Sequence, residues 1–416
     1  MKSIVTMEKM VFGASCIATV DGKTVFIPYS LPGETLEITI VKERENYCEG
    51  KIEKILHSSV YRVTPVCPYF YACGGCNMQM AESGYQHELR YSAAAEAFER
   101  AVKHNNKKNG NFETDFKISA DFIFNTDWEY RSRFQLHITE NGFAQKKHNG
   151  SELTVIHDCP VAVPAIRTLL KNGMKNFGSV KPMFRIGTRA HIFSSDGKIF
   201  TENNHSGCYA VLCGKIFKFN PLGFFQSNLK MTEKLIKTVL SEILPLVTPD
   251  GRILDFYSGV GTFSVFLSDM VQEIHLVEHN KYALEYAKEN FNLYLSKKVK
   301  KPKIFYHAID GRRWAKTQYA SLPFSLVIID PPRSGIDAPS LRWLCLSGIP
   351  LICYISCDPV TFARDAVQLL NSGYTLKKHF ILDFYPQTHH TETFAVFQKN
   401  MNSSRTVDSG TFPNYN

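Results

Sequence analysis

The sequence predicts an α/β protein whose largest part is a doubly wound, mostly parallel sheet, preceded by a small antiparallel β-barrel and a second β-rich region. After about residue 216, apolar strands alternate with helical stretches, which is the pattern of a doubly wound sheet. Residues 1–60 carry short runs of alternating apolar and polar residues, which is typical of a small barrel. A loop rich in Cys and Gly lies between these regions and matches neither period.

The composition is that of a folded globular protein. Of 416 residues, 44% are hydrophobic and 21% are charged, which excludes a mainly disordered, collagenous or coiled-coil chain. The formal charge of +9 is compatible with a polyanionic partner. No stretch approaches the roughly 18 consecutive apolar residues of a membrane helix, and the N-terminus lacks the apolar core of a signal peptide. We therefore expect a cytoplasmic protein with no membrane partner, and no obligate protein partner is evident.

The elements follow in order along the chain. The sequence pattern predicts a solvated helix at residues 82–104 and a polar linker at residues 105–111. Residues 120–215 contain strand-like runs such as RSRFQLHIT and KPMFRIGT. The strands predicted for the main sheet are RILDFY, EIHLVE, KIFYHAI, SLVIID, PLICYIS, TLKKHFILDF and TFAVFQ. We expect domains at 1–60, 61–215 and 216–400, and a frayed tail at 401–416.

Three of the 11 cysteines share one short loop with the spacing C-x5-C-x2-C. They are Cys67, Cys73 and Cys76. Gly74 and Gly75 allow the backbone to curl toward a common centre, and Cys159, which precedes a proline, is the best candidate for a fourth ligand. Four thiolates suit an iron–sulfur cluster or structural zinc, and the spacing alone does not separate them. The alternative is a set of reduced, buried cysteines with no special role.

A glycine turn follows the first strand of the main sheet in RILDFYSGVGTFSVFLS. Gly259 and Gly261 would let a ligand approach the backbone at the carboxyl edge of the sheet. Glu278 ends the next strand about twenty residues on, where an acid can bind both ribose hydroxyls. Together these features favour an adenosine-containing cofactor, S-adenosylmethionine (SAM) or a nucleotide. Tyr257 stands where such a turn often has its first glycine.

Two further strand ends carry reactive side chains. Asp330 and Arg333 flank a rigid Pro-Pro turn, and Cys357 follows the strand LICYIS. A thiol at the ligand edge is a reasonable nucleophile, although a lone cysteine is more often a small core residue. Glu392 lies just before the last strand.

These segments, in this order, resemble the RumA/TrmA class of RNA 5-methyluridine methyltransferases, which use SAM. The resemblance covers most of the chain and rests on the motifs FFQSN, DFYSGVG, VEHN, DPPRSG, SCDP and HHTETFAVF. It implies a Rossmann-like methyltransferase domain, an OB-like TRAM β-barrel at the N-terminus and a β-rich central domain. The cysteine loop resembles the four-iron (4Fe-4S) site of RumA-type members, which favours iron–sulfur over zinc.

The resemblance also implies roles for individual residues. Cys357 would be the nucleophile and Glu392 the base. The residues implied around the cofactor and target base are Gln226, Tyr257, Gly259, Gly261, Glu278 and Asp330. RNA, with 23S ribosomal RNA as the expected substrate, would contact the barrel and the basic tracts Lys103–Lys108 and Lys297–Lys303.

The sequence departs from the class at two places. SCDP replaces the usual SCNP, which adds a negative charge beside Cys357 and should raise its pKa slightly. The first TRAM strand has Phe12-Gly13-Ala-Ser in place of a fuller glycine pattern.

Alternative functions stay open. One is methylation of a tRNA uridine, and another is a non-catalytic iron–sulfur protein that binds RNA or senses oxidation. A cytosine C5 enzyme is disfavoured, because Asp330-Pro-Pro stands where that class has a Pro-Cys motif.

Overall fold

The computed structural model describes residues 2–109, 120–148, 150–173, 185–202, 207–296 and 298–400, with the backbone alone for 106–109. The chain folds into two compact units. Unit 1 contains the residues up to 95, 126–191 and 385–390, and unit 2 contains 96–125, 192–384 and the residues from 391 onward. The three-domain division stays a prediction, and the tail at 401–416 lies outside the described residues.

Unit 1 begins with a six-stranded sheet in the order β1-β5-β6-β4-β3-β2. Its strands are β1 Lys2–Thr6, β2 Lys9–Val11, β3 Ser15–Val20, β4 Lys23–Pro28, β5 Thr35–Glu43 and β6 Tyr47–His57. Val25 and Ile27 of β4 and Leu36 and Ile38 of β5 are fully buried, as expected where every second side chain faces a core. The sequence predicted antiparallel pairing throughout, and this is wrong for β4 and β6, which run parallel. Because β5 separates these two strands in the sequence, no hairpin turn constrains their direction.

Helix α1 spans Ser83–Asn109, so the predicted linker is wrong over residues 105–109. Asn105 is 6% exposed. Its Nδ2 donates to Asn371 Oδ1 at 3.3 Å, and its Oδ1 accepts from Asn371 Nδ2 at 2.9 Å. This buried amide pair supports the helix where composition alone indicated a linker. The helix is also less solvated than predicted, since Leu89 and Phe98 are buried.

The β-rich central region follows. Its elements are β8 Arg133–Thr139, β9 Gly142–Lys146, β10 Leu153–Val155, α2 Pro164–Asn172, β11 Arg189–Ser195, β12 Lys198–Thr201, β13 Tyr209–Leu212 and β14 Lys215–Lys218. The run RSRFQLHIT forms β8 as predicted. Of the predicted strand KPMFRIGT, residues 181–184 lie outside the described residues, and 185–188 form a turn in which Thr188 N–H donates to Arg185 O. Gly187, with φ of 83°, favours this turn over a strand.

Unit 2 contains an eight-stranded sheet in the order β17-β16-β15-β18-β19-β21-β20-β7. Its strands are β7 Asp121–Ile123, β15 Arg252–Phe256, β16 Glu273–Val277, β17 Lys303–His307, β18 Leu326–Ile329, β19 Leu351–Ser356, β20 Tyr374–Leu382 and β21 Glu392–Lys399. The run from β17 to β19 is parallel. Strand β21 pairs antiparallel with both β19 and β20. The sequence predicted every strand of this sheet except β7.

Helices accompany this sheet as the doubly wound pattern requires. They are α3 Leu229–Ile243, α4 Ser264–Leu267, α5 Lys281–Leu295, α6 Gly311–Trp314, α7 Ala338–Leu346 and α8 Pro359–Asn371. All six residues of β19 are buried, as expected for a parallel strand covered on both faces. Among the described residues, no helix is both long enough and apolar enough to cross a membrane.

Candidate functional site

Four predicted site residues of unit 2 come directly after parallel strands. Tyr257 follows β15, Glu278 follows β16, Asp330 follows β18 and Cys357 follows β19. Because these strands are parallel, their carboxyl ends lie at one edge of the sheet, which is where open α/β folds bind ligands.

The glycine turn after β15 has the left-handed backbone that its glycines suggest. Gly259 has φ of 54° and Gly261 has φ of 77°. Tyr257 adopts φ of 67°, so the turn keeps the conformation that glycine favours even though a bulky residue stands there. The N–H groups of Tyr257 and Ser258 both donate to Val277 O, at 3.0 and 3.1 Å. These bonds to β16 hold the turn in place.

The two glycines have different surroundings. A Cβ on Gly261 would lie 3.3 Å from Phe291 and 3.4 Å from Leu276, so this glycine allows close packing beneath the turn. At Gly259 no heavy atom of the described residues lies within 4 Å of the Cβ position. The backbone at Gly259 is therefore open to a ligand.

Glu278 is oriented by the turn beside it. Its Oε2 accepts from Gly259 N–H at 3.1 Å, and its Oε1 accepts from Asn280 N–H at 2.8 Å. The residue is 8% exposed. A carboxylate held in this way presents a fixed acceptor at the strand end, as ribose recognition requires.

A cavity of about 270 Å³ opens between the glycine turn and the ends of β16 and β17. It is lined by Phe256, Tyr257, Val277, Glu278, His279, Ile309, Asp310, Gly311, Arg312 and Asp337. This mixture of apolar walls and a few polar groups is typical of a nucleoside site.

The sequence analysis missed Asp310 and Asp337 of this cavity. Asp310 directly follows the predicted strand run KIFYHAI and lies three residues after the end of β17, so the strand-end rule applied to that run could have found it. Tyr257 Oη donates to Asp337 Oδ2 at 3.2 Å. Asp337 also caps α7 by accepting from Ser340 N–H, and nothing in its local sequence distinguishes this lining residue from an ordinary helix cap.

Buried polar atoms of the predicted site residue Gln226, and of two residues at or beside the turn, have no hydrogen-bond partner among the described residues. They are Gln226 Oε1, Asp255 Oδ2 and Ser258 Oγ. Buried polar atoms are nearly always paired in folded proteins. Asp255 and Ser258 are on and just after β15, so a polar ligand at this turn would supply the partners they lack. These residues therefore fit a bound cofactor of the SAM type.

Strand pairing brings Glu392 to the end of β19. In the antiparallel register Ser356 pairs with Thr393, so the next step along both strands aligns Cys357 with Glu392. Parallel pairing of β18 with β19 sets Ile329 against Tyr354, and Asp330 follows at the same edge. The structure thus brings together the thiol and the two carboxyl groups that the sequence singled out.

Burial and mutual repulsion shift the pKa values of all three groups. The pKa of Cys357 is raised to about 12 by burial and by the charges of Glu392 and Asp330. The pKa of Glu392 is raised to about 8 by burial and by Asp330, and that of Asp330 to about 7 by burial and by Asp255. Arg333 acts in the opposite direction on Cys357 and Glu392. Perturbed pKa values of this kind cluster at the catalytic sites of enzymes.

Asp358, the departure from the class pattern, has a second role. Its charge adds a minor upward contribution to the pKa of Cys357, in the predicted direction. Its side chain also accepts from the N–H groups of Val360 and Thr361, both at 2.9 Å, and so caps α8. Asparagine caps a helix about equally well, so the substitution preserves the cap.

The raised pKa of Glu392 predicts a pH-dependent stability effect of Glu392→Gln. Between the ordinary value of 4.5 and about 8, the folded chain keeps a proton that the unfolded chain releases. Stability contributed by this group is therefore complete below pH 4.5 and is lost as the pH rises through 8. We expect Glu392→Gln to raise the midpoint of thermal unfolding by at least about 2–4 °C at pH 9 and to leave it unchanged at pH 4.5. Exposed Glu289→Gln is the control, and an equal shift at both pH values would contradict the prediction.

The four predicted metal-ligating cysteines line one cavity of unit 1. They are Cys67, Cys73, Cys76 and Cys159. All four are free thiols. Burial raises the pKa of Cys76 to about 12 and that of Cys159 to about 11. Four protonated, converging thiols would release protons on binding a metal, as thiolate sites do.

Backbone hydrogen bonds shape the loop that carries three of these cysteines. Cys73 N–H donates to Tyr69 O at 2.7 Å, and Gly74 N–H donates to Lys146 O at 2.9 Å. A Cβ at Gly74 would lie 3.0 Å from backbone atoms of residues 146–148. Gly74 is therefore required for the close approach of this loop to the end of β9.

The spacing of the thiols bears on the kind of metal centre. A single tetrahedral zinc with Zn–S bonds of about 2.3 Å brings its sulfurs to about 3.8 Å from one another. Among the described residues, no three cysteine sulfurs lie within 4.8 Å of one another. In a four-iron cluster each thiolate binds a different corner of the cube, so its ligands are farther apart. The four thiols offer the donor set that either an iron–sulfur cluster or a zinc site requires.

Comparisons with known proteins agree with this architecture. A TRAM domain model matches residues 5–52, and a model described as tRNA (Uracil-5-)-methyltransferase matches residues 211–400. A protein of Treponema denticola named "Uncharacterized RNA methyltransferase" is 56% identical over 415 residues, which cover 96% of this chain and all of the relative.

A solved structure shares the fold. It is the crystal structure of Pyrococcus abyssi tRNA (uracil-54, C5)-methyltransferase in complex with S-adenosyl-L-homocysteine, with a TM-score of 0.68 and 20% identity over 95% of this chain and 100% of that chain. At this identity the likeness shows the fold alone. The extensive identity to an RNA methyltransferase and the two matching models nevertheless establish the family. The chain belongs to the RNA uracil-5-methyltransferases, SAM-dependent enzymes, and it combines their catalytic fold with an N-terminal TRAM domain.

Proposed function

We propose that this enzyme methylates carbon 5 of a uridine in 23S ribosomal RNA, with Cys357 as nucleophile and Glu392 as base. The observation that carries the proposal is the alignment of Cys357 with Glu392 across β19 and β21. Asp330 and the cofactor turn lie at the carboxyl ends of the neighbouring strands of the same sheet.

Cys357 would activate the uracil by covalent addition. Carbon 5 of uracil is a poor nucleophile, and addition of a thiolate at carbon 6 converts the ring to an enolate whose carbon 5 can attack a methyl group. Because burial and two neighbouring carboxyl groups hold this thiol protonated in the free enzyme, its proton would pass to the ionised carboxylate of Asp330 as the bond to carbon 6 forms, which leaves Asp330 protonated. The target base must also leave its stack to enter the site.

The two carboxyl groups would divide the remaining proton transfers. Asp330, with a pKa raised to about 7, can hold a proton near neutral pH and donate a hydrogen bond to the enolate oxygen. Glu392 would remove the proton from carbon 5 after methyl transfer, which permits elimination of Cys357. The requirement for an ionised Glu392 places the base-dependent limb of the pH profile near 8.

SAM supplies the methyl group when it is bound at the turn after β15. Gln226, Asp255 and Ser258 offer it unpaired polar atoms. Glu278 would accept from the ribose hydroxyls, and the open backbone at Gly259 would allow close approach.

Glu278→Ala is expected to weaken binding of S-adenosyl-L-homocysteine about 10- to 100-fold. This range corresponds to the loss of hydrogen bonds to a charged acceptor, about 1.5–3 kcal/mol. Titration calorimetry measures the change. The matched control is Glu285→Ala, whose exposed carboxylate pairs with Lys288 on α5. An unchanged dissociation constant for Glu278→Ala would remove this residue from the cofactor site.

The cysteine cavity would hold a 4Fe-4S cluster. Cys67, Cys73 and Cys76 come from one loop, and Cys159 comes from the segment after β10. The cysteine loop and the TRAM domain resemble those of the ribosomal RNA members of the family. This resemblance supports 23S ribosomal RNA over tRNA as the substrate.

Cys73→Ser is expected to remove the cluster from anaerobically purified protein. We expect the native protein to contain about four iron atoms per chain and to absorb broadly in the visible region, and the variant to lose both signals. The control is Cys213→Ser, a half-buried thiol outside the cavity. Stoichiometric zinc without visible absorbance would favour a structural zinc site.

RNA would contact the TRAM domain and the basic tracts. Some lysines of these tracts lie close to acidic side chains, which reduces the charge they can offer to phosphate groups. Lys298 Nζ lies 3.2 Å from Asp269 Oδ2, and Lys103 Nζ lies 3.9 Å from Glu99 Oε2. The side chains of Lys107 and Lys108, and all of Lys297, lie outside the described residues. RNA contact at either tract stays a prediction.

The substrate is tested by incubating the enzyme and labelled SAM with transcripts of 23S ribosomal RNA fragments and of tRNA. Label in 5-methyluridine of a ribosomal fragment supports the proposal. Label in tRNA alone would identify the substrate class as tRNA. With bound cofactor and an intact cluster, no label in either would favour a non-catalytic RNA-binding or redox-sensing role.

A further inference from the structure

The cysteine loop continues into residues that hold the segment just before Glu392. The N–H groups of Asn77 and Met78 both donate to Gln387 O, at 3.1 and 3.0 Å. Asn77 Oδ1 accepts from His389 N–H at 3.0 Å, and Asn77 Nδ2 lies 2.8 Å from His389 Nδ1. Asn77 directly follows the predicted ligand Cys76, so one short loop bears both the ligands and these hydrogen bonds.

Gln387 occupies a conformation that its own chain disfavours. It has φ of 70°, in the left-handed region where non-glycine residues are strained and persist only when their surroundings hold them. Its N–H donates to Gln86 Oε1 at 3.2 Å, and its Oε1 accepts from Gln86 Nε2 at 2.9 Å. With the two bonds to its carbonyl, four hydrogen bonds fix this residue, which is 3% exposed.

Other side chains hold the residues on either side of Gln387. Tyr130 Oη donates to Pro386 O at 2.8 Å, and Arg90 Nη1 donates to Thr388 O at 3.2 Å. All of these partners belong to unit 1, as do residues 385–390, which we name the anchored segment. Only Thr391 separates this segment from Glu392 along the chain. Glu392 therefore comes two residues after a segment that hydrogen bonds within unit 1 hold in place.

We infer that Asn77 and Gln387 are positioning residues for Glu392, and that the cysteine loop fixes the catalytic base through the anchored segment. The inference rests on the proposed function, in which Glu392 removes the proton from carbon 5. A cluster bound by Cys76 would stiffen the loop that supplies four of the hydrogen bonds described above. Strain at a buried glutamine held by four hydrogen bonds, five residues before the base, is a feature that a purely structural linker does not need.

The inference predicts a selective defect. Glu392 acts only after methyl transfer, so a displaced Glu392 slows elimination and leaves Cys357 addition and methyl transfer intact. A methylated protein–RNA adduct should then accumulate. General loss of folding would instead reduce every step together.

The experiment measures the adduct in single turnovers of the holoenzyme with methyl-labelled SAM and the methyl-accepting transcript, by rapid quench and denaturing gel. We expect Asn77→Ala to slow adduct decay about 10- to 100-fold, the size of effect that small misplacements of catalytic groups produce. We expect the methyl-transfer burst to stay within twofold of the native rate and the visible absorbance of the cluster to be unchanged. Asn77→Asp, which keeps the acceptor for His389 N–H, should recover most of the decay rate.

Two further variants keep the test decisive. Gln387→Gly tolerates the left-handed backbone and removes the side-chain bond to Gln86, so it tests the anchored segment if Asn77→Ala does not fold. Asn141→Ala, an exposed residue between β8 and β9, is the control and should behave like the native enzyme. Glu392→Gln is measured in parallel. If it traps the adduct while Asn77→Ala and Gln387→Gly do not, only this inference is overturned; if Glu392→Gln also fails to trap it, the proposed function fails as well.

Discussion

Replacing Cys357 by alanine is expected to lower methyl transfer by at least about 10⁴-fold, because without the thiol no bond to carbon 6 activates the uracil. Loss of a covalent nucleophile is among the most costly changes to an enzyme. Cofactor binding should persist, since Cys357 follows β19 while the cofactor turn follows β15. The measurement is incubation with SAM and RNA that contains 5-fluorouridine, whose fluorine cannot leave as a proton. The native enzyme should form a stable protein–RNA adduct, and the variant should form none.

Cys353→Ala is the matched control. Cys353 lies on β19, four residues before Cys357, and is fully buried. Its replacement by alanine therefore removes the same sulfur atom from the core instead of from the edge of the sheet. We expect it to cost about 1 kcal/mol of stability and to retain adduct formation. Adduct formation by Cys357→Ala would overturn its assignment as nucleophile, and loss of the adduct in both variants would point to damage to β19.

Much of unit 2 follows from its sequence because the signals there are local and repeated. Each strand of a parallel sheet is a short apolar run, and each ligand-edge residue follows such a run directly. Cys357 and Asp330 were therefore recognisable as edge residues before the structure. Asp310 follows the same rule, but its local sequence also makes it the N-cap of α6, and a cap requires no ligand.

The placement of Glu392 could not be derived from periodicity. It depends on β21 inserting antiparallel between β19 and β20. The apolar pattern of a strand is the same for both directions, so it does not predict which direction the strand takes in the sheet. The prediction for β4 and β6 was wrong for the same reason. Helix α1 continues past residue 104 because Asn105 finds a distant partner in Asn371, and such tertiary contacts override local propensity.

The cysteine cavity could also be predicted only in part, because three of its cysteines are close together in the sequence and the fourth is distant. The loop spacing predicted three ligands, which the structure places in one cavity, and Gly74 allows the close approach of the backbone there. The arrival of Cys159 at the same cavity depends on the fold around β9 and β10. The choice between one metal ion and a cluster depends on distances between sulfurs, which residue identity does not encode.

Glu392→Gln is expected to stop the reaction after methyl transfer. Glutamine keeps the shape of the side chain and removes its ability to accept a proton from carbon 5, so turnover should fall about 10²- to 10⁴-fold. With ordinary uridine RNA and methyl-labelled SAM, a protein–RNA adduct that carries the label should accumulate to nearly one per active site. Glu289→Gln, exposed on α5, should turn over normally.

This result would show whether Glu392 or Asp330 is the base that removes the proton from carbon 5. Both carboxyl groups raise the pKa of Cys357, and either charge could in principle accept a proton. If Asp330 were the base, Asp330→Asn would accumulate the labelled adduct and Glu392→Gln would not. If Glu392 is the base, Asp330→Asn should slow adduct formation itself, because asparagine cannot take up the proton that the thiol of Cys357 releases. The register that aligns Glu392 with Cys357 favours the second outcome, since carbon 5, which carries the proton, is bonded directly to the carbon that the thiol attacks.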